Sequence, residues 1–166
     1  MKVRRLTVED AEYYRKMRLQ ALKEHPEAFS SSYEEEGQYS LDVYKDRFQS
    51  NNSLTLGAFE KGVLIGTVTL LVENKLKLRH RASIVAMYVA PKYRKKRVGH
   101  TLMTEAIKIA KEKNGIEQIY LSVEAMNTPA KKLYSSFGFE VYGLEKRALK
   151  IGDNYFDEEH MVLFLS

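Results

Sequence analysis

Hydrophobic and polar residues follow two different periods along this chain, and these periods predict where strands and helices lie. Residues 84–89, IVAMYV, form a continuous apolar run that predicts a buried strand. Residues 98–110 carry apolar side chains at positions 98, 102, 103, 106, 107, 109 and 110, which is the spacing of a helix with one apolar face. A short polar segment separates the two. This region therefore predicts a strand, a turn and a helix in succession.

The rest of the chain divides in the same way. Strands are predicted over residues 3–6, 54–59, 63–72, 84–89, 119–123, 140–149 and 155–165. Helices are predicted after residues 7–10, over 40–49, from 98 to about 114, and over 128–137. Residues 28–38 and 73–81 are polar and predict connections. The order β-α-α-β-β-β-α-β-α-β-β indicates an α/β fold (an α+β mixed sheet) in a single domain of residues 1–166.

Local signals support several of these boundaries. Thr7 and Asp10 have the spacing of a capping box at the first helix, with aspartate in place of the usual glutamate. Gly62 supplies a hairpin turn between the second and third strands. Pro129 suits the first turn of the last helix.

Composition narrows the class of protein. Of 166 residues, 44% are apolar and 30% charged, which is typical of a globular domain. The chain has no cysteine, which excludes disulfides and thiolate metal sites, and its four histidines lack metal-ligand spacing. We therefore expect no metal. No apolar run approaches membrane-spanning length, so a soluble cytoplasmic protein without a membrane partner is expected.

The net charge of +5 is modest, but five basic residues are concentrated at positions 92–97. They lie between the predicted strand and helix, where free backbone N–H groups and the helix dipole favour an anion. A phosphorylated ligand, a nucleic acid and a merely solvated turn all fit such a cluster. Nucleic acid is disfavoured because no aromatic-interleaved basic surface or helix-turn-helix pattern accompanies it.

Two stretches are similar to motifs of the GNAT superfamily of acetyl-CoA-dependent N-acetyltransferases. The first runs from Met87 to Arg94 and continues through Gly99, and it resembles the family's fourth strand, pyrophosphate loop and following helix. The second, residues 121–139, reads LSVEAMNTPAKKLYSSFGF and resembles the fifth strand and the helix that carries Asn127 and Tyr134. The order of elements fits over nearly the whole chain.

The resemblance implies acetyl-CoA as co-substrate and assigns roles to particular residues. The main chain of Met87, Tyr88 and Val89 would pair with the pantetheine arm. Asn127 would contact the same arm, and asparagine also suits a helix N-cap. The pyrophosphate would lie in the loop and helix start formed by Arg94, Lys95, Lys96, Arg97, Val98, Gly99 and His100.

Tyr134 is the predicted general acid that protonates the departing CoA thiolate, although a helical tyrosine is also a common core residue. The base is less clearly indicated. Glu124 follows the fifth strand and His80 precedes the fourth, and either side chain, or ordered water, would accept a proton from the amine. Both residues also fit an ordinary surface role.

One departure from the family pattern concerns the loop. Positions that usually hold glycine carry Lys95 and Arg97 here, and Gly99 alone remains. We expect the loop to keep its function if residues 95–97 already form the first turn of the helix, where no positive φ is needed.

The predicted function is transfer of the acetyl group of acetyl-CoA to a primary amine by direct attack in a ternary complex. The alternative is a catalytically silent CoA-binding module that acts as a sensor or partner. The sequence does not distinguish between possible acceptors, which are a small amine, a polyamine, an amino acid, an antibiotic and a protein amine. An exposed terminal strand would support a homodimer. Carboxylates that would attract a cationic acceptor, or simply be solvated, are Glu34, Glu35, Glu36, Asp153 and Asp157.

Overall fold

A computed structural model describes residues 1–166. Its strands are β1 Lys2–Arg5, β2 Ser53–Glu60, β3 Val63–Val72, β4 Arg81–Val89, β5 Gln118–Glu124, β6 Glu140–Ile151 and β7 Asn154–Phe164. Its helices are α1 Ala11–Glu24, α2 Tyr33–Glu36, α3 Leu41–Gln49, α4 Val98–Glu112 and α5 Thr128–Ser136. The mixed α/β class and the predicted order of strands and long helices are confirmed. No helix is both long and apolar enough to cross a membrane.

The one-turn helix α2 was not predicted, because the 28–38 stretch was expected to be a loop. Ser32 begins this helix by accepting a hydrogen bond from the Glu35 backbone N–H (3.1 Å). At its other end, Glu36 is almost completely buried and receives Arg18 Nη2 at 2.8 Å and the Tyr44 hydroxyl at 3.0 Å. Tertiary contacts with α1 and α3 therefore stabilise a turn that has no apolar period of its own.

The seven strands form one sheet in the order β1-β2-β3-β4-β5-β7-β6. All neighbours are antiparallel except β4 and β5, which are parallel. Strands β4 and β5 are paired only where Arg81–Ser83 of β4 lie beside Gln118–Tyr120 of β5. Beyond these residues the two strands separate, and the side of β4 that faces β5 has no strand partner.

A bulge in β4 lies where the separation begins. Thr67 of β3 pairs with Tyr88 and Thr69 pairs with Val85, so two residues of β4 oppose one residue of β3. Ala86, one of the two, has φ +55°. This backbone conformation is uncommon for alanine, and it changes the direction of the strand at the mouth of the opening.

Both faces of the sheet are covered. On one face, α4 buries the predicted apolar stripe, with Leu102, Met103 and Ala106 fully inaccessible to solvent. On the other face, α1 and α3 pack over β2 to β4 through a smaller cluster that includes Tyr14 and Phe48. These helices leave β5, β6 and β7 uncovered on that face.

Candidate active site

The opening between β4 and β5 leads into two adjoining cavities of about 660 and 110 Å³. The smaller one lies between the two strands and α5. The larger one lies on the face covered by α1 and α3 and extends to β7. Seven residues line both cavities, namely Ala28, Phe29, Ile84, Val85, Ala86, Leu121 and Ser122. The cavities therefore form one continuous bent passage.

The smaller cavity gathers four of the residues predicted for the site. Met87, Glu124, Asn127 and Tyr134 all line it. They come from β4, the end of β5, the turn after β5 and α5, so the separation of β4 from β5 is what gives them a common space.

The basic loop does not have the backbone conformation expected from the sequence. Helix α4 begins at Val98, and Lys95 and Arg97 have φ values of +62° and +64°. The condition stated from the sequence, that residues 95–97 form a helical first turn, is therefore not met. The two residues adopt the left-handed conformation that glycine favours, which costs roughly 1 kcal/mol or more for each non-glycine residue.

This conformation leaves a series of free donors. The first backbone bond in α4 runs from the Thr101 N–H to the Arg97 carbonyl (3.0 Å), and the N–H groups of residues 95–100 have no protein acceptor. Successive N–H groups around left-handed residues form a concave anion site. The side chains of Lys95, Lys96 and Arg97 are exposed around it. The loop therefore combines free backbone donors with positive charge.

Arg94 and Tyr88 have structural contacts that the sequence did not reveal. Arg94 Nε donates to the Val89 carbonyl (2.9 Å), and the Tyr88 hydroxyl donates to Glu24 of α1 (3.1 Å). Burial, together with the bond to Glu24, raises the pKa of Tyr88 to about 12. These contacts join the end of β4 to the end of α1 and engage the side chain of Tyr88.

The start of α4 packs against α5. A Cβ atom at Gly99 would lie 3.3 Å from Leu133 Cδ2, so glycine permits the close approach of the two helices. The His100 and Phe137 rings lie 4.9 Å apart between centroids. This packing positions the helix that carries Tyr134.

Asn127 is the N-cap of α5, as the sequence predicted. Its Oδ1 accepts a hydrogen bond from the Ala130 N–H at 3.3 Å. The side chain also lines the smaller cavity. Its predicted contact with the pantetheine arm remains a prediction.

Tyr134 is buried against the core and lines the smaller cavity. Burial raises the pKa of its phenol to about 12, and its hydroxyl has no hydrogen-bond partner within the protein. The phenol therefore remains protonated at neutral pH and has a free O–H to donate. The Tyr134 side chain thus packs in the core and also lines the cavity.

The two predicted bases differ in whether they line a cavity. Glu124 lines the smaller cavity, but its Oε2 accepts the Met126 N–H at 2.8 Å and so stabilises the turn before α5. His80 lies next to the paired, amino-terminal ends of β4 and β5, where its carbonyl accepts from the Glu117 N–H. It lines neither cavity. The structure thus brings Glu124, and not His80, to the passage.

None of the five carboxylates considered from the sequence lines the larger cavity. Glu36 is held in the buried pair with Arg18, and Asp157 accepts the Arg147 N–H. The cavity instead contains Glu158 of β7, and burial raises the pKa of its carboxyl group.

The family resemblance also implies that the 28–38 stretch, the second predicted long helix (α3) and the 150–155 hairpin line the acceptor side. The first two line the larger cavity through Phe29 and Arg47, but no residue of 150–155 lines it.

Sequence reasoning also missed the polar residues around Glu158. Ser122 of β5 and Tyr142 of β6 line the larger cavity, and His160 of β7 hydrogen bonds to Ser122. The only sequence signal was the alternation of Ser122 with apolar residues along β5. Because β7 lies between β5 and β6, residues that are far apart in the chain meet at this wall.

Comparison with known proteins identifies the fold family. The model of the acetyltransferase (GNAT) family matches residues 18–139. The chain belongs to this family. The resemblance inferred from the two sequence motifs is thereby confirmed.

Curated relatives match parts of the chain. A spermidine N(1)-acetyltransferase of Thermoplasma acidophilum is 38% identical over 96 residues, which are 57% of this chain and 56% of that protein. The L-amino acid N-acetyltransferase AaaT of Escherichia coli K12 is 31% identical over 101 residues, 60% of this chain and 61% of that protein. The chain thus spans little more than half the length of these relatives.

Solved structures match the fold over nearly its full length. A probable acetyltransferase from Staphylococcus epidermidis has a TM-score of 0.78 and 28% identity, with 99% of each chain covered. The putative acetyltransferase yncA from Salmonella typhimurium, solved with acetyl-CoA, has a TM-score of 0.87, with 100% of this chain and 94% of that chain covered. Its 19% identity supports the likeness of fold alone.

Proposed function

We propose that this GNAT-family protein transfers the acetyl group of acetyl-CoA to a primary amine by direct attack in a ternary complex. The observation that carries the proposal is the passage between β4 and β5. Met87 of β4 and Tyr134 line its smaller cavity, and one carboxylate, Glu158, lies in its larger cavity. The loop with free N–H donors and cations follows β4 along the chain. Such an arrangement suits a long anionic donor beside β4 and an amine acceptor in the larger cavity.

The free N–H groups of residues 95–100 hold the pyrophosphate in this proposal. Lys95, Lys96 and Arg97 add electrostatic attraction from exposed positions. Arg94 has a supporting role, because its backbone N–H and Nε already donate to protein carbonyls.

The pantetheine arm lies along the unpaired side of β4 and makes main-chain bonds at Met87 to Val89, as an added strand would. Asn127 lies across the smaller cavity from these residues and contacts the same arm. The β4 amides also polarise the thioester carbonyl, so that negative charge on its oxygen is stabilised as the amine attacks.

Tyr134 serves as the acid. Collapse of the tetrahedral intermediate breaks the C–S bond and releases a thiolate, which the Tyr134 hydroxyl stabilises by donating its proton. Support comes from the free hydroxyl and from burial, which keeps the phenol protonated.

Glu158 favours a cationic amine as acceptor. Its carboxylate is the only one in the wall of the larger cavity, which also contains Arg47 and Arg18, the latter paired with Glu36. Glu145 is close enough to affect the ionisation of Glu158. The spermidine acetyltransferase of T. acidophilum carries a cationic acceptor in its name, which agrees with this choice. Because acetyl-CoA is an intracellular metabolite, we place the reaction in the cytoplasm.

The proposal is tested by titrating acetyl-CoA calorimetrically and by measuring thiol release over a panel of polyamines, amino acids and peptides. We expect saturable binding and the fastest release with cationic amines that lack a carboxylate. Binding without thiol release from any amine would instead indicate the catalytically silent module.

A charge-reversed loop tests the anchoring role. Replacing Lys95, Lys96 and Arg97 with glutamate should weaken acetyl-CoA binding at least about tenfold, or about 1.4 kcal/mol. The matched control changes three exposed basic residues elsewhere, Lys75, Lys77 and Arg79, to glutamate, which alters the net charge equally. Equal affinities of the two variants would contradict the anchoring role.

A homodimer is also part of the proposal. Strand β7 lies inside the sheet, so the free edges are β1 and β6. Val141 and Leu144 of β6 are about half exposed. Pairing of two β6 edges around a twofold axis would cover these side chains.

A further inference from the structure

Ser122, His160 and Glu145 form a hydrogen-bonded chain across three strands. The Ser122 Oγ lies 2.7 Å from His160 Nδ1, and His160 Nε2 lies 2.9 Å from Glu145 Oε1. Both ring nitrogens are therefore engaged, one by a hydroxyl and the other by a carboxylate. A carboxylate on one nitrogen orients the ring and stabilises the imidazolium that forms when the other nitrogen takes a proton.

The serine end of this chain lies where the two cavities join. Of the seven residues that line both cavities, Ser122 is the only one with a polar side chain. The donor and the acceptor amine meet at this junction if the proposed function is correct. The Ser122 hydroxyl is then the polar side chain available at the reacting atoms.

The carboxylate end of the chain opens to solvent. The Glu145 side chain is 54% exposed, whereas that of His160 is 26% exposed. A proton that enters at Ser122 thus has a route through the imidazole to the protein surface.

We propose that Ser122, His160 and Glu145 form the proton relay that serves as general base for acetyl transfer; this inference rests on the proposed function. The bound ammonium first loses one proton to water, which frees the nitrogen lone pair. As the neutral amine then attacks the thioester carbon, one proton of its nitrogen passes to Ser122 Oγ while the serine proton passes to His160 Nδ1. The C–S bond then breaks, and the thiolate takes the proton of Tyr134. The imidazolium, paired with Glu145, releases its proton to water, and water reprotonates the Tyr134 oxygen.

The other carboxylates near the passage are less suited to this step. Glu124 already accepts the Met126 N–H and caps a turn. Glu158 lines the larger cavity but makes no hydrogen bond to Ser122, His160 or Glu145. We assign Glu158 the separate role of attracting the ammonium group before it is deprotonated.

The groups that face His160 affect its protonation. They are Ser122 on β5, Glu145 and Tyr142 on β6, and Glu158 on β7. The two carboxylates stabilise the imidazolium that forms when the ring takes a proton. Removing the charge of Glu145 should therefore lower kcat, and removing His160 should lower it further.

The test measures kcat and KM against pH, with a saturating cationic amine, for S122A, S122T, H160Q, E145Q and E158Q. We expect kcat of S122A and H160Q to fall on the order of a hundredfold or more, and the double variant to be no slower than H160Q. S122T keeps the hydroxyl and should retain most of the turnover. E158Q should mainly raise KM. H80Q, which removes a histidine remote from both cavities, is the control and should match the wild type.

Melting temperatures and acetyl-CoA affinities of the variants show whether each one is folded. If wild type transfers acetyl groups and folded S122A and H160Q turn over equally fast, the relay is wrong and the proposed function stands. An acetyl group found on Ser122 by mass spectrometry during turnover would replace the relay with a covalent route. If wild type binds acetyl-CoA but acetylates no amine, the proposed function is wrong and the relay fails with it.

Discussion

At the scale of single residues, Lys95 and Arg97 carry the clearest conflict between sequence and structure. Both take a left-handed conformation that side chains with a Cβ disfavour. The loop keeps a shape that suits glycine, and the positive charge of these residues lies beside the free N–H groups. Lys95 and Arg97 thus cost some backbone stability, but they place positive charge beside the free N–H groups.

Replacing Lys95 or Arg97 with glycine should therefore stabilise the fold. Relief of roughly 1–2 kcal/mol of strain offsets the roughly 0.5–1 kcal/mol entropic cost of glycine, which leaves a gain of up to about 1.5 kcal/mol. Lys96, which lacks a positive φ, is the matched control, and its glycine variant should be slightly less stable. Chemical denaturation measures all three variants. Destabilisation in all of them would show that the left-handed conformations are not strained.

Tyr134 supplies a second prediction at this scale. Y134F should lower turnover by about a hundredfold and leave acetyl-CoA affinity nearly unchanged, because it removes a proton donor but keeps the ring in place. Since the folded pKa of about 12 lies above the ordinary value of 10, loss of the phenol proton should not reduce turnover below about pH 10. Thiol-release kinetics measure this effect. Unchanged turnover in Y134F would remove Tyr134 from the mechanism.

At the scale of elements, Asn127 caps the N-terminus of α5 and also lines the smaller cavity. Serine caps helices about as well as asparagine, whereas alanine costs about 1 kcal/mol. N127S should therefore keep the wild-type stability, and N127A should lose about 1 kcal/mol. If Asn127 also contacts the pantetheine arm, both variants should bind acetyl-CoA more weakly. Normal affinity in N127S would leave Asn127 with the capping role alone.

The short helix α2 depends on Glu36, which joins it to α1 and α3. Burial alone would raise the pKa of Glu36, but the hydrogen bonds from Arg18 hold it below its usual range. Because E36Q leaves Arg18 largely buried without a counter-ion, we expect a loss of about 3 kcal/mol. The exposed Glu34 of the same helix is the control, and E34Q should change stability by less than about 0.5 kcal/mol.

The same pair predicts a pH dependence. A carboxylate with a lowered folded pKa stabilises the protein above its unfolded pKa of about 4.5, and this stability is lost as pH falls through the lower folded value. Denaturation curves of wild type should therefore show a loss of stability below about pH 4.5 that is smaller in E36Q. An identical acid limb in both proteins would mean that Glu36 is not the group responsible.

At the scale of the whole molecule, β7 lies between β5 and β6, so it contributes to the wall of the larger cavity and leaves β6 at an edge of the sheet. The exposed edge of β6 makes the homodimer testable. L144K should convert a dimer to a monomer, because a lysine on an edge strand opposes pairing with a second copy. Light scattering coupled to gel filtration measures the mass. L76K, at an exposed site in the connection before β4, is the control. A monomeric wild type would exclude the dimer.

Much of this molecule follows from its sequence alone. The strand and helix periods, the Asn127 cap and the two family motifs depend on residues within a few positions of one another, so they can be read along the chain. The path of β4 beside β5 could not be predicted in this way. It depends on the bulge at Ala86 and on pairing that stops after three residues, and both are consequences of packing.

The sequence by itself determined the class of fold, the family and the identity of the basic loop, because these rest on local pattern. Only the tertiary structure decided the conformation of Lys95 and Arg97 and the partners of Ser122. The partners of Ser122 include a residue 38 positions away, which strand pairing brings beside it. A pattern along the chain specifies which face a residue occupies, but the order of strands in the sheet specifies which residue lies beside it.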